Sequence, residues 1–265
     1  MLWEEILAKD FDACVSKSEG LCILPIGVLE KHGDHLPIGT DMFTATAVAK
    51  AATEISPAVI FPYYFLGQIS EARHMKGTIA ASHKLMMEAL LEMCDEIHRN
   101  GFTKILLLNS HGGNFHFLPF FAQMFPGLNR PYALYATGIS SISKEQYQEI
   151  VALTGVEDMG QHAGFAETAL IMHIRPDLVN MENVNIEESK DMGRLNDIEN
   201  IGVYTGFNWY AKYPHHFAGD PTKATAEYGK FLFDLASNRV AEVIRKIKAD
   251  DQSHLLIEEF NKLAN

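Results

Sequence analysis

Cysteine is scarce in this chain: three occur in 265 residues, Cys14, Cys22 and Cys94, and none forms a C-x-x-C pair. That excludes a disulfide framework and a thiolate zinc site, so any metal would be held by nitrogen and oxygen. Positive charge is scarce too. With 22 Lys and Arg against 34 Asp and Glu, a net charge of -12, and no basic run interleaved with aromatics, nothing in the chain would track a phosphate backbone. A nucleic-acid partner is not expected. No apolar run is long enough to span a bilayer, and the opening "MLWEEILAKDFDACVSKSEG" carries acidic residues early and no basic region followed by an apolar core. The expectation is a cytoplasmic protein with no membrane partner. Repeats, low-complexity tracts and linkers are also missing. Residues 1–265 therefore read as a single domain, whose 47% hydrophobic content suits a sizeable core rather than disorder.

Apolar runs that suit buried strands stand at Leu21–Ile26 ("LCILPI"), Ala58–Phe61, Lys104–Asn109 ("KILLLN") and Tyr132–Ala136. Helical periodicity fills Met42–Ile55, Ser82–Asn100 and Phe115–Phe125 between them. The second is clearest, with Ser82 as N-cap and Gly101 just past its end. Two further helices are expected at about Thr222–Lys248 and Ser253–Leu263, while Asp177–Asn200 is polar and weakly periodic. Alternating strand and helix predicts an α/β fold with a mostly parallel central sheet and helices on both faces.

Two polar clusters follow strands directly, at the carboxyl ends where open α/β sheets bind ligands. In "PIGVLEKHGDHLPIGTD" (Pro25–Asp41), Glu30 and His32 lie two apart, so in an extended stretch they leave the same face and can converge on one point. Gly33, Pro37 and Gly39 let the loop fold back, Thr40 is placed to cap the next helix, and Asp41 falls in that helix's first turn. In "LLLNSHGGNF", His111 precedes two glycines that let backbone approach whatever it touches. "HGGN" lacks the Lys and the spacing of a P-loop. A third segment, "GQHAGFAETALIMHI", brings His162 near Glu167 on a mostly apolar helix or strand, where a carboxylate is expensive unless paired or bound to metal. "SEARHMKGT" and "NWYAKYPHHFAGDPTKAT" hold Ser70, His74, Trp209, Tyr210, His215 and His216 in turn-rich settings of the kind that close over ligands. Ser70, His74, Asn114, Trp209 and His216 are candidate substrate-binding residues.

These motifs, taken in order, resemble the creatininase (creatinine amidohydrolase) family: "PIGVLEKHGDHLPIGTD" is similar to its first metal-binding signature, "NSHGGN" to its second and "HAGFAET" to its third, with "GDPTKAT" similar to a C-terminal element. The resemblance implies a three-layer α/β/α domain, two divalent ions of Zn, Mn or Fe, and a homo-oligomer that is often a hexamer. Carried over residue by residue, it makes Glu30, His32, Asp41 and His111 metal ligands, with Asp41 bridging. One position departs from creatininase itself, whose second motif resembles "GHYEN" with a Glu two residues after the His; here that position is Gly113. Relatives with "HGGN" share the departure, and by that likeness Glu167 becomes the fifth ligand and creatinine loses ground as substrate.

The resemblance further implies a hydrolase in which a hydroxide generated on the ions attacks the carbonyl of a small cyclic or formyl amide, with His162 shuttling the proton to the leaving group. The same apparatus can cleave a C–C bond in a cyclic sugar-derived diketone, which the polar, aromatic "NWYAKYPHHFAGD" would suit. A rival of another class is a non-catalytic metal-binding protein, although a closed structural zinc site needs only four ligands and no solvent position.

Overall fold

The structure is a computed structural model that describes residues 1–139 and 143–264. A short helix α1 (Phe11–Lys17) leads into strand β1 (Leu21–Ile26), then α2 (Thr40–Ile55), β2 (Val59–Ile60), α3 (His83–Arg99), β3 (Lys104–Asn109), α4 (Asn114–Gln123) and β4 (Ala133–Gly138). Helices α5 (Lys144–Thr154), α6 (Phe165–Ile174), α7 (Asn196–Glu199), α8 (Asn208–Lys212), α9 (Ala226–Lys248) and α10 (Gln252–Ala264) complete the order. The four strands form one parallel sheet in the order β2-β1-β3-β4, with Leu24 opposite Leu107 and Ile26 opposite Asn109.

Strand side chains alternate between two layers. Cys22, Leu24, Ile26, Ile105 and Leu107 pack on α3 and α4 through Met86, Leu90, Cys94, Ile97, Phe117, Leu118 and Phe121. Leu21, Ile23, Leu106 and Leu108 face the other way, onto Val48, Ala49 and Ala52 of α2 and Val240, Ala241 and Ile244 of α9. Because both faces are covered, β1 and β3 are buried along their whole length and read as unbroken apolar runs. Each such Leu or Ile contributes about 1.5–3 kcal/mol of burial. This is the three-layer α/β/α arrangement expected from the sequence.

Local chemistry explains where elements stop. Ser82 Oγ accepts from Leu85 N (3.2 Å) as the N-cap of α3, and Gly101 beyond its end takes φ +99°. Lys104, buried at the start of β3, donates to the carbonyls of Ile247 (3.0 Å) and Lys248 (2.8 Å) and closes the carboxyl end of α9. Helices α6 and α9 cross so closely that a Cβ on Gly229 would stand 1.8 Å from the carbonyl oxygen of Ala169.

Several boundaries differ from the sequence reading. The expected strand Ala58–Phe61 shrinks to Val59–Ile60, Tyr132–Ala136 shifts to Ala133–Gly138, and the helix expected from Thr222 begins at Ala226, where Thr225 caps it through Tyr228 N. Thr40 does not cap α2. Its hydroxyl donates to the carbonyl of Pro37 (2.8 Å) and Gly39 occupies the cap position. Helix α5 went unread despite its capping box, Ser143 with Gln146. Among the described residues, no helix is long and apolar enough to cross a membrane.

The last helix is pinned by one carboxylate. Asp250 accepts from Gln252 N (2.9 Å) and Ser253 N (3.3 Å) at the start of α10, from the Ser253 hydroxyl, and from Tyr135 Oη of β4 (2.7 Å). The Ser253 and Tyr135 hydroxyls hold its carboxyl down to about 2. That lies below the usual unfolded value of about 3.9, so the stabilisation is complete above about pH 4 and lost as pH falls through about 2. Asp250→Ala should cost about 1 kcal/mol at pH 7, as loss of a helix cap does. Thermal melts should show the difference at pH 7 and its disappearance near pH 2, and equal melting temperatures at pH 7 would remove Asp250 as the anchor.

Candidate metal centre

Past Ile26 the chain leaves β1 and makes a loop that returns on itself, with Glu30 N donating to the carbonyl of Ile38 (3.1 Å). The return sets Asp41 in the first turn of α2, where the helix N-terminus favours a carboxylate and Val28 N donates to Oδ2 (3.2 Å). Glu30, His32 and Asp41 are all buried.

The second cluster is held by amides. His111 N donates to Asn109 Oδ1 (3.1 Å), Asn109 Nδ2 to the carbonyl of His111 (2.8 Å), and Asn114 Nδ2 to Asn109 Oδ1 (3.0 Å). Asn114 Oδ1 in turn accepts from Gln68 N (2.9 Å), and the carbonyl of Gln68 accepts from His111 Nε2 (2.7 Å). A carbonyl only accepts, so His111 Nε2 carries a proton and Nδ1, which bears the lone pair in the neutral ring, faces Glu30 Oε1 (2.8 Å) and Asp41 Oδ2 (3.3 Å).

The third segment closes the site. His162 pairs in antiparallel fashion with Ala218, and its Nε2 donates to the carbonyl of Lys31 (2.7 Å), which leaves Nδ1 with a lone pair. Ala163 adopts φ +55°, and from that strained turn its N–H donates to Glu167 Oε2 (2.5 Å) at the start of α6.

Two trios of donors result, each with ligand atoms within 4.8 Å of one another: Glu30, Asp41 and His111, and His32, Asp41 and Glu167. Asp41 belongs to both, offering Oδ2 toward His111 and Oδ1 toward His32 Nε2 (3.4 Å). His32 donates from Nδ1 to the carbonyl of Glu30 (3.2 Å), so in the neutral ring Nε2 presents a lone pair inward. Buried Glu30 Oε1 faces His111 Nδ1 (2.8 Å) and buried His32 Nε2 faces Asp41 Oδ1 (3.4 Å), and among the described residues neither has another hydrogen-bond partner. Lone pairs and carboxylate oxygens facing one another in a dry pocket are what a cation reconciles, so the donor set fits divalent metal. A further trio, Glu30, His32 and His162, also lies within 4.8 Å.

The protonation pattern without cations records the same crowding. Burial would lower His32, but the carboxylates of Asp41, Glu167 and Glu30 push it up to about 9. Burial opposes the charged form of Glu30, yet His111 and His162 with the hydrogen bonds of His111 and His216 hold its carboxyl well below the ordinary range. His216 goes the other way, to about 4, because burial outweighs its bond to Glu30.

Of these groups Glu30, His111, His162, Glu167 and His216 line a cavity of about 920 Å³, together with Met86, Met87, Phe115, Phe120, Tyr204 and Trp209. Of the five candidate substrate residues, Trp209 and His216 line it and three do not. Ser70 is exposed and pairs with His83 Nε2 (3.3 Å), and His74 Nε2 bonds the carbonyl of Pro214 (2.9 Å). Asn114 is fully buried, with both ends of its amide engaged as above. His216 reaches Glu30 rather than open space. Gln68 escaped the sequence reading because it acts through its backbone carbonyl, which leaves no signal in residue type.

A family model described as creatinine amidohydrolase (Creatininase) matches residues 4–244. The chain is 26% identical over 236 residues to the mycofactocin precursor peptide peptidase of Mycolicibacterium smegmatis, covering 87% of this chain and 86% of that one. It is 24% identical over 260 residues to the 3-dehydro-scyllo-inosose hydrolase of Thermotoga maritima, covering 86% and 79%. Among solved structures, a tryptophan-to-phenylalanine variant of creatininase matches with a TM-score of 0.76 at 18% identity over 94% of this chain and 99% of that one, a likeness of fold. A manganese form and a Zn–Zn form of creatininase share that fold, with TM-scores of 0.74 and 0.72.

The glycine that departs from creatininase has a structural reason here. A Cβ on Gly113 would stand 2.5 Å from both the Gln68 carbonyl oxygen and His111 Nε2, across the hydrogen bond that aims His111. Gly113→Ala should therefore weaken cation binding by about 10–100-fold, the range for losing an outer partner of a ligand. Competition against a chromophoric chelator, on protein whose melting temperature is checked, reads the effect; unchanged affinity would show that the Gln68 bond does not aim the ring.

Proposed function

The chain belongs to the creatininase family, and from that premise we propose that it is a hydrolase using two divalent cations, zinc or manganese, to break an amide C–N bond. One observation carries the reading: two buried donor trios share Asp41, one oxygen toward each, at the floor of an open cavity. Glu30, Asp41 and His111 hold one cation and His32, Asp41 and Glu167 the other. Cations there supply an acidified water near neutral pH and polarise the substrate carbonyl.

The chain's own groups do the rest. His162, its Nε2 tied to the Lys31 carbonyl, has Nδ1 free to take a proton and return it to the departing nitrogen. Its ring lies 4.1 Å from that of His32 and 4.3 Å from that of His216, centroid to centroid, over the centre. Glu167 is 31% accessible, so the centre is open to the cavity, unlike a closed structural zinc site. A cavity of about 920 Å³ exceeds what a small ring fills and takes an amide with an apolar extension along Met87, Phe115 and Phe120. The peptidase relative supports that reading.

The second reading, hydrolysis of a C–C bond in a cyclic diketone, is favoured by the inosose hydrolase relative of similar coverage. Protein stripped by chelator and reloaded with Mn²⁺ or Zn²⁺, then offered formyl amides, short peptides and cyclic diketones, separates the two. Release of amine is the expected outcome, and ring opening of the diketones alone would overturn it. Elemental analysis should find two metals per chain in the wild type and loss of both in Asp41→Ala, because one carboxylate serves both trios; two tightly held metals in that variant would remove the bridge. His162→Ala should lower turnover by about 10²–10⁴-fold with metal content unchanged. Loss of one metal would instead make His162 a ligand, through its trio with Glu30 and His32.

A further inference from the structure

Glu30 uses its two oxygens differently. Oε1 is buried and faces His111 Nδ1 at 2.8 Å, whereas Oε2 accepts from His216 Nε2 at 2.5 Å. The other ring nitrogen, His216 Nδ1, accepts from the indole Nε1–H of Trp209 at 2.9 Å. An indole nitrogen only donates, so Trp209 forces the His216 proton onto Nε2, and that proton can only point at Glu30. The three side chains form a one-way line: Trp209 donates to His216, and His216 donates to Glu30.

The backbone marks the same residue. His216 takes φ +55°, a conformation that strains a residue with a β-carbon and persists only where the surroundings enforce it. Here they do: His216 N donates to Tyr213 O in the turn, and Ala218 is bridged to His162 two residues later. The strained turn holds a buried ring, 2% exposed, at the edge of the cavity with its Nε2 against Glu30.

We propose that Trp209 and His216 are positioning residues for the metal centre, fixing Glu30 by its Oε2 so that Oε1 alone is offered, as a single-oxygen ligand, to the cation shared with Asp41 and His111. Without the clamp Glu30 is free to rotate, offer both oxygens to one cation, or turn from it. The inference rests on the two-cation reading for its consequence, but the clamp itself exists without metal. Trp209 therefore serves two ends of the same site, with its ring face walling the cavity and its N–H setting the tautomer that aims a ligand.

Two measurements test it. In the metal-free protein, long-range ¹H–¹⁵N correlation of the histidine rings should show His216 as the Nε2–H tautomer in the wild type. In Trp209→Phe, which keeps an aromatic wall but removes the N–H, it should show a mixed or Nδ1–H form. A wild-type Nδ1–H tautomer, or an unchanged ring in Trp209→Phe, overturns the clamp whatever becomes of the metals. In the second measurement, stepwise Co²⁺ titration with visible spectra resolves the two sites. Trp209→Phe and His216→Leu should weaken one of the two by about 10–100-fold. His216→Gln, whose amide N–H reaches the Nε2 position, should recover most of that loss. Equal Co²⁺ affinities and spectra in all three variants, with wild-type melting temperatures, would reduce Trp209 and His216 to packing. A wild type that binds no Co²⁺ while showing the expected tautomers would overturn the two-cation reading and the proposed consequence for the metal, leaving the clamp as a structural contact.

Discussion

Repulsion among buried acids is the constraint the rest of the site answers. Glu30 and Asp41 are at most 2% exposed, and their donor oxygens lie within 4.8 Å of each other and of His111. Two such charges repel by roughly 3 kcal/mol at an effective dielectric of about 20, beyond the several kcal/mol each ion loses in leaving water. No lysine or arginine is paired with either carboxylate among the described residues. Without metal the opposing charge comes from imidazolium: burial would lower His32 and His111, but Glu30 and Asp41 raise both.

Each candidate ligand is consequently aimed by a bond made elsewhere. The carbonyls of Glu30 and Gln68 each accept a ring N–H, from His32 and His111, and in doing so decide which nitrogen faces inward. Val28 N and Ala163 N each take one carboxylate oxygen, of Asp41 and Glu167, and His216 takes one of Glu30. The two non-glycine residues with positive φ near the centre, Ala163 and His216, are both spent on this task. Strain at two backbone positions is the cost of turning a donor toward an acid where no flexible side chain could be held as rigidly.

The candidate donor types were legible in the sequence because metal chemistry restricts them to a few residue types at strand ends, and the sheet was legible because β1 and β3 are apolar on both faces. The aiming bonds were not. Gln68 and Lys31 act through carbonyls that any residue possesses, and Ala163 through an N–H at an angle no composition announces. His216 and Trp209 read as substrate contacts because both lie in a loop rich in aromatics and histidines. The bond of His216 to Glu30 spans 186 positions and depends on a turn whose left-handed residue is not glycine. Asn114 stands in the motif near a candidate ligand, yet both ends of its amide are engaged, by the Asn109 side chain and the Gln68 backbone N–H.

The site divides into an inner set of donors and an outer wall. The inner groups hang from β1, β3 and the first turns of α2 and α6, elements locked by the sheet and by the α6–α9 crossing. The outer wall comes from side chains of α3 and α4 and from the loop carrying α8, including Phe115, Phe120 and Tyr204, which remain 58–76% exposed. Changes there alter which molecule reaches the centre without disturbing the acids beneath, with one exception. Trp209 belongs to both layers, so a change of wall at that position also changes the hold on Glu30. The wall is free to vary only where it does not touch the clamp.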